Sequence, residues 1–259
     1  MTTIGNIYDY INGIMPFDKA ERYDNCGLLV GRTDKEVTGI LTCLDITNNA
    51  VYEAAESNAN LIVSHHPIIF DPVKRINGNG PLYKLINKDI AAICCHTNAD
   101  IAECGTNGAA YDMLREKMTL GEKTVLERLY EDGSGIGWIC ECESCPANRL
   151  AKILSGAFRC TVRYTDNGEP ITKIAFCSGS GGSMLDLITD KNTAYITGDV
   201  KHNVFVEAEN RNIPLFDCTH YATEILFAKR MGDLLSRKFP DLHIRVSTFS
   251  IGYIHESKA

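Results

Sequence analysis

Apolar residues recur at three- and four-residue intervals near the start of the chain, at Ile4, Ile7, Tyr8, Ile11 and Ile14. That spacing predicts one face of an amphipathic helix, ended by Pro16. The pattern then changes to short apolar runs at 28–30, 40–45, 61–63 and 90–95. Polar or alanine-bearing stretches at 48–57 and 82–87 lie between some of them, and the turn-rich segment Tyr23-Asp24-Asn25-Cys26-Gly27 precedes the first. Runs this short, bounded by turn-forming residues, predict strands, and the stretches between them predict helices. Residues 71–81, rich in Pro, Gly and Asn, predict a loop.

The second half repeats this order. Strand-like runs at 174–179, 194–199 and 213–218 are separated by helix-like segments at 184–189 and 204–210. Ile40 to Leu61 and Ile174 to Tyr195 are both separations of 21 residues. Between the halves, 126–143 is strand-like and broken by Gly133-Ser134-Gly135, 148–156 is helical, and 160–164 is a further strand. The expected fold is α/β, with two similar lobes related by a pseudo-twofold axis. The expected division is 1–125 and 126–259, with the lobes packed as one unit and no inserted middle domain.

Composition narrows the class. With 259 residues the chain can bury a substantial core. A net charge of −7 without a basic block argues against nucleic acid as a partner. No apolar run approaches the ~20 residues of a membrane span. The first residues lack the basic start and apolar core of a secretion signal, so a cytoplasmic protein is expected. Most of the 11 cysteines lie inside apolar runs, where they act as small buried hydrophobes, and the odd total argues against a complete disulfide framework. Cys140, Cys142 and Cys145 form a C-x-C-x-x-C cluster with no obvious fourth ligand nearby, which favours a structural reading over a zinc site.

Candidate chemistry sits at the carboxyl ends of the expected strands, where α/β proteins gather functional groups. Ser64-His65-His66-Pro67 follows one strand, His96-Thr97-Asn98-Ala99-Asp100 the next, and His220-Tyr221-Ala222-Thr223-Glu224 a third. The last two share a His-x-x-x-carboxylate spacing. Imidazoles and carboxylates together suit borderline divalent ions such as zinc, iron, manganese or cobalt. His65, His66, Asp100, His220 and Glu224 supply enough donors for two such ions. Each piece also has a plain structural reading. Adjacent histidines in an extended strand point to opposite faces, Asp100 could cap a helix, and His220 with Glu224 could be a helix-surface hydrogen bond. The glutamate of an H-E-x-x-H motif is absent, which argues against a metalloprotease. His96 is placed as a partner of the ligands and a proton carrier, hence the candidate catalytic residue. His202 is a weaker candidate, and His243 and His255 look incidental. The Gly-rich loop 178–183 could cradle an anion or be a tight turn.

Six stretches carry a family resemblance. They are Tyr23-Asp24-Asn25-Cys26-Gly27-Leu28, Cys43-Leu44-Asp45-Ile46-Thr47, Ser64-His65-His66-Pro67-Ile68-Ile69-Phe70, His96-Thr97-Asn98-Ala99-Asp100, Thr197-Gly198-Asp199-Val200-Lys201 and His220-Tyr221-Ala222-Thr223-Glu224. With them the chain resembles the GTP cyclohydrolase I type 2 homologues, also called Ngg-interacting-factor-three-like proteins. The resemblance implies a dinuclear site between two α/β lobes, with His65 and His220 on one ion, His66 and Asp100 on the other, and Glu224 bridging. It also implies a toroidal homohexamer, a trimer of dimers. Asn203 stands where many members have histidine. The expected function is metal-dependent hydrolysis of a small nucleotide, heterocycle or phosphoester by a metal-activated water, with GTP cyclohydrolase chemistry implied by the family name. The alternative is a non-catalytic metal-binding, regulatory or scaffold ring.

Overall fold

The computed structural model describes residues 1–248; His255 lies outside them. The predicted first helix, α1, spans Ile4–Ile14, with Thr3 and Asn6 forming a reciprocal capping box and Ile4, Ile7 and Ile11 buried. The chain then builds β1 (Gly27–Val30), β2 (Ile40–Cys43), α2 (Asn48–Glu56), β3 (Leu61–Ser64), α3 (Pro81–Asn87) and β4 (Ala91–Cys94). A short helix, α4 (Thr97–Ile101), follows. Strands β2, β3 and β4 are parallel neighbours, and β1 pairs antiparallel on the outer side of β4. Each of β2, β3 and β4 is buried along its whole length, as parallel strands covered on both faces must be.

Next come α5 (Thr106–Arg115), β5 (Thr124–Arg128), β6 (Gly135–Cys145), α6 (Ala147–Phe158), β7 (Arg163–Tyr164) and β8 (Ile171–Phe176). A 3₁₀ helix (Gly182–Leu187), β9 (Thr193–Thr197), α7 (His202–Asn210), β10 (Leu215–Asp217) and α8 (His220–Glu224) complete this stretch. The sheet order is β5-β6-β8-β9-β10-β7, with β8, β9 and β10 parallel and β7 antiparallel on β10. Alternate residues of β8 and β9 enter two separate cores: Ile174, Phe176 and Ile196 pack with Trp138 and Phe158, whereas Ala175 and Tyr195 pack with Leu185 and Ile213. Both faces of this sheet are therefore covered. Cys140 and Cys145 belong to the first of these cores.

The chain ends with α9 (Leu226–Lys238) and β11 (Ile244–Val246). β11 pairs parallel with β2, giving the first sheet the order β1-β4-β3-β2-β11. The compact units are consequently not divided at 125/126. One comprises Met1–Asn98 with the chain from Phe227 onward, and the other is Ala99–Leu226. A C-terminal strand that completes the N-terminal sheet makes the first unit discontinuous.

Both units use the same connectivity: an antiparallel edge strand, then three parallel strands joined by two crossovers. The repeat is imperfect. Ile40 pairs with Leu61, but Ile174 pairs with Ala194 rather than with Tyr195, so the 21-residue separation shared by the two halves is not a shared strand register. The segment expected as a helix at 184–189 is instead the 3₁₀ turn Gly182–Leu187. No helix among the described residues is long and apolar enough to cross a membrane.

Candidate metal centre

In the first unit, β3 ends at Ser64, so His65 and His66 lie past the strand and are not forced onto opposite faces. Their amides are held by the carbonyls of Cys43 (3.2 Å) and Leu44 (2.9 Å), and Ser64 Oγ donates to His66 O (2.8 Å). His65 is fully buried, and its Nδ1 donates to Cys95 O at 2.8 Å. His66 Nδ1 donates to Asp45 Oδ1 at 2.8 Å, and His96 Nδ1 to Asp24 Oδ1 at 3.0 Å. An acceptor at each Nδ1 selects the tautomer whose lone pair is on Nε2, the arrangement of metal-binding imidazoles. One ring nitrogen from each of His65, His66 and His96 lies within 4.8 Å of the others, close enough to share an ion. His96, expected as a proton carrier, thus stands in the same cluster as two expected ligands. Phe227 backs His65 with ring centroids 5.0 Å apart.

Asp24 is the anchor of this cluster. Its side chain is fully shielded from solvent. Burial alone would raise its pKa, but hydrogen bonds from His96 and Thr97, with the charge of His96, outweigh burial and hold the carboxyl well below the usual range. Its second oxygen accepts from the Thr97 amide (3.0 Å) and hydroxyl (2.5 Å), fixing the start of α4.

The second unit holds Asp100, His220 and Glu224. Asp100 lies inside α4, and the N-cap of the following helix, α5, is Gly105 rather than Asp100. It is buried, and Ser178 Oγ donates to its Oδ1 at 3.1 Å. Asn107 joins the same arrangement, donating to Asp100 O (2.9 Å) and accepting from the Ser178 amide (2.9 Å). His220 and Glu224 share one face of α8, with Nε2 and Oε2 2.8 Å apart. On its other side His220 Nδ1 donates to Asp199 Oδ2 at 2.9 Å. The helix surface is therefore not the setting of this pair, because Glu224 is buried. Thr219, the residue before His220, has φ 62° and ψ 149°, a region glycine normally occupies. A β-branched residue held there costs about 1–3 kcal/mol and marks a backbone constrained to aim its neighbour.

The Gly-rich loop is a tight turn. Gly179 N donates to Thr223 Oγ1 and Gly181 N to Thr197 Oγ1, both at 3.0 Å, and Tyr195 donates to Gly181 O at 2.5 Å. The amides of Ser178, Gly179 and Gly181 are thus engaged by side chains of the protein, and Gly179 has a spatial role. Gly179 has φ +67°, and a Cβ there would sit 2.1 Å from Glu224 Oε1. The loop thus leaves room for the Glu224 carboxylate while Ser178 holds Asp100. His202 begins α7 and is exposed.

The hydrogen bond with Glu224 is the main cause that raises the pKa of His220, to about 9; burial opposes it, and Asp199 adds to the rise. In metal-free protein this folded-state value exceeds the unfolded one, so the imidazolium stabilises the fold fully below about pH 6.5. That contribution fades as pH rises through about 9. Thermal melts of chelator-treated protein should lose stability from pH 6.5 to 9, and His220→Gln should flatten the loss. An unchanged slope in the variant would remove His220 as the cause.

A family model described as Duf34/NIF3 (NGG1p interacting factor 3) matches residues 2–253. The chain belongs to this family. A Helicobacter pylori protein named GTP cyclohydrolase 1 type 2 is 32% identical, covering 91% of this chain and 92% of its own. A Campylobacter jejuni protein named GTP cyclohydrolase 1 type 2 homolog is 29% identical over 87% and 89% of the two chains. Among solved structures, a Bacillus cereus protein related to NIF3 aligns with a TM-score of 0.88 at 20% identity, covering 98% and 99%, a likeness of fold alone. Reduced HcgD from Methanocaldococcus jannaschii aligns at 0.82 with 27% identity, covering 95% and 98%.

In this NIF3-family chain, three carboxylates of the candidate site had no assigned role from the sequence: Asp24, Asp45 and Asp199. Each accepts from the Nδ1 of a different histidine, His96, His66 and His220. All three lie in the sequence stretches that carry the family resemblance. A search for a carboxylate near the end of every apolar run would have found Asp45 and Asp199, and the turn before β1 carries Asp24.

Proposed function

We propose that this NIF3-family protein binds two divalent ions per chain and hydrolyses a small nucleotide, heterocycle or phosphoester. The observation that carries the reading is the set of imidazoles whose Nδ1 atoms are anchored by Asp24, Asp45, Asp199 and Cys95 O. Four rings oriented this way are a donor set of the chemistry that zinc, iron, manganese or cobalt accepts. His65 and His220 would hold one ion, His66 and Asp100 the other, and Glu224 would bridge them. Such a pair supplies Lewis acidity and lowers the pKa of a coordinated water.

The chain's own residues do the rest. Asp45, Asp24 and Asp199 orient the imidazoles and increase their basicity. Ser178 holds Asp100 by its hydroxyl, and Gly179 leaves space for Glu224. His96, buttressed by Asp24, would hold or pass a proton at Nε2. GTP is the first substrate to test, because the Helicobacter pylori relative is named for that activity. Elemental analysis of protein purified without chelator or affinity tag, paired with a screen of GTP and simple phosphoesters, tests the reading. About two ions per chain with metal-dependent turnover would support it. Two ions without turnover would leave a binding or regulatory protein, and no metal would reopen the ligand assignment.

Self-association as a homohexamer, a trimer of dimers, belongs to the same reading and rests on the family resemblance. Light scattering should give six times the 28.6 kDa chain mass. A clean monomer would remove the ring.

A further inference from the structure

Three imidazoles converge within the first compact unit, with no donor drawn from the second. His65 and His66 follow β3 and His96 follows β4, adjacent parallel strands whose register sets Ser64 beside Cys94. Two neighbouring strand ends thus deliver all three rings to one place. The ring centres are 5.3 Å apart for His65 and His66, 5.2 Å for His65 and His96, and 5.6 Å for His66 and His96. One ion about 2.0–2.1 Å from a nitrogen of each ring, at tetrahedral angles, sets the ring centres roughly 5 Å apart. The observed triangle is nearly equilateral and exceeds that size by about half an ångström at most.

The supports of the three rings are alike. Each Nδ1 donates to a protein oxygen, His65 to Cys95 O, His66 to Asp45 and His96 to Asp24. The lone pairs at Nε2 are therefore the ones an ion would take. The backbone beside them is pinned as well: Cys94 Sγ donates to His65 O at 3.0 Å, and the His96 amide donates to Cys26 Sγ at 3.4 Å. Three neutral imidazoles leave a divalent ion its full charge. The carboxylates of Asp24 and Asp45 stand one ring away, two negative charges for two positive ones.

We propose that His65, His66 and His96 form a single-ion site within the first unit, which holds one zinc or cobalt ion without Asp100, His220 or Glu224. Water fills the fourth position, as is usual where three imidazoles hold zinc. This one-ion form rests on the metal-binding part of the reading above and on nothing in its hydrolysis. It gives His96 a second task. Its Nε2 lone pair takes the ion in the one-ion form, whereas in the two-ion form it holds or passes a proton. Filling the second position separates His65 from His66, which the two-ion reading assigns to different ions, and releases His96.

The test is a cobalt(II) titration of the full chain after treatment with chelator, read by the visible absorption of four-coordinate cobalt. The double variant His220→Gln/Glu224→Gln should still bind one cobalt ion per chain. Adding His96→Gln should weaken that binding by at least about 100-fold, and adding Asp24→Asn, which unseats the His96 ring, by about 10–100-fold. Cobalt bound as tightly with His96→Gln as without it would overturn the proposal. So would a folded double variant that binds none. Should the double variant fail to fold, the single variant decides: the first equivalent of cobalt should bind at least about tenfold more weakly to His96→Gln than to the parent. Equal affinity would overturn the site. None of these readouts uses turnover. Two ions with turnover in the parent, beside a His96→Gln variant of unchanged affinity, would remove this site and leave the hydrolase reading standing. One ion held through His96, without turnover, would do the reverse.

Discussion

Glu224→Ala should lower the metal content of purified protein, from the proposed two ions per chain to one or fewer, with circular dichroism little changed. His66→Ala should do the same. The two substitutions remove different donors, an imidazole fixed by Asp45 and a buried carboxylate paired with His220. Glu224 is 3% exposed, and its neighbour Gly179 shows that the surrounding backbone is shaped around its carboxylate. Truncation there breaks the ion pair with His220, so the melting temperature should fall while the circular dichroism spectrum is kept. Elemental analysis beside a thermal melt separates the two effects. If both variants carry as much metal as the parent, the ligand assignment fails.

The largest effect on folding is expected at a residue outside the proposed donor set. Gly105 precedes α5, and a Cβ built there would lie 1.7 Å from the carbonyl oxygen of Ala99 and 2.7 Å from its carbon. These are backbone atoms of α4, next to Asp100, and they cannot rotate aside as a side chain can. Gly105→Ala should therefore displace α4 from α5 and cost more than about 3 kcal/mol. The expected result is little soluble protein, or a melt far below that of the parent. A melting temperature within a few degrees of the parent would show that the turn relaxes easily. Asn107, whose amide holds Asp100 O, would then still be placed by the helix start.

Much of the fold was legible where local pattern and burial coincide. The isoleucine spacing predicted α1 to both of its ends, because a single apolar face meets the core and Thr3 caps it. The parallel strands stood out as short continuous apolar runs, since burial on both faces erases alternation. Helix α5 was missed: its sequence is broken by Gly108 and mixes polar with small residues, although most of it is buried. Helix α9 has a regular apolar face, Phe227, Met231 and Leu235, and could have been read from the same periodicity as α1. β11 could not, for its three residues become a strand only by pairing with β2, some two hundred residues earlier. The candidate donors were visible because histidines and carboxylates at strand ends are conspicuous. Their anchors were not, because Asp24 and His96 are 72 residues apart and only the fold joins them.

The placement of that last strand bears on how the protein is made. β2 borders β3 on one side and β11 on the other, and Thr42 at its centre donates to Ala228 O. A ribosome releases β2 long before residues 227–246 exist, so the backbone N–H and C=O groups on that edge of β2 have no strand to pair with until synthesis nears its end. Residues 99–226 are contiguous and meet no such delay. Synthesis thus leaves the earliest segment waiting for the latest, and truncation near the C-terminus wounds the N-terminal sheet first.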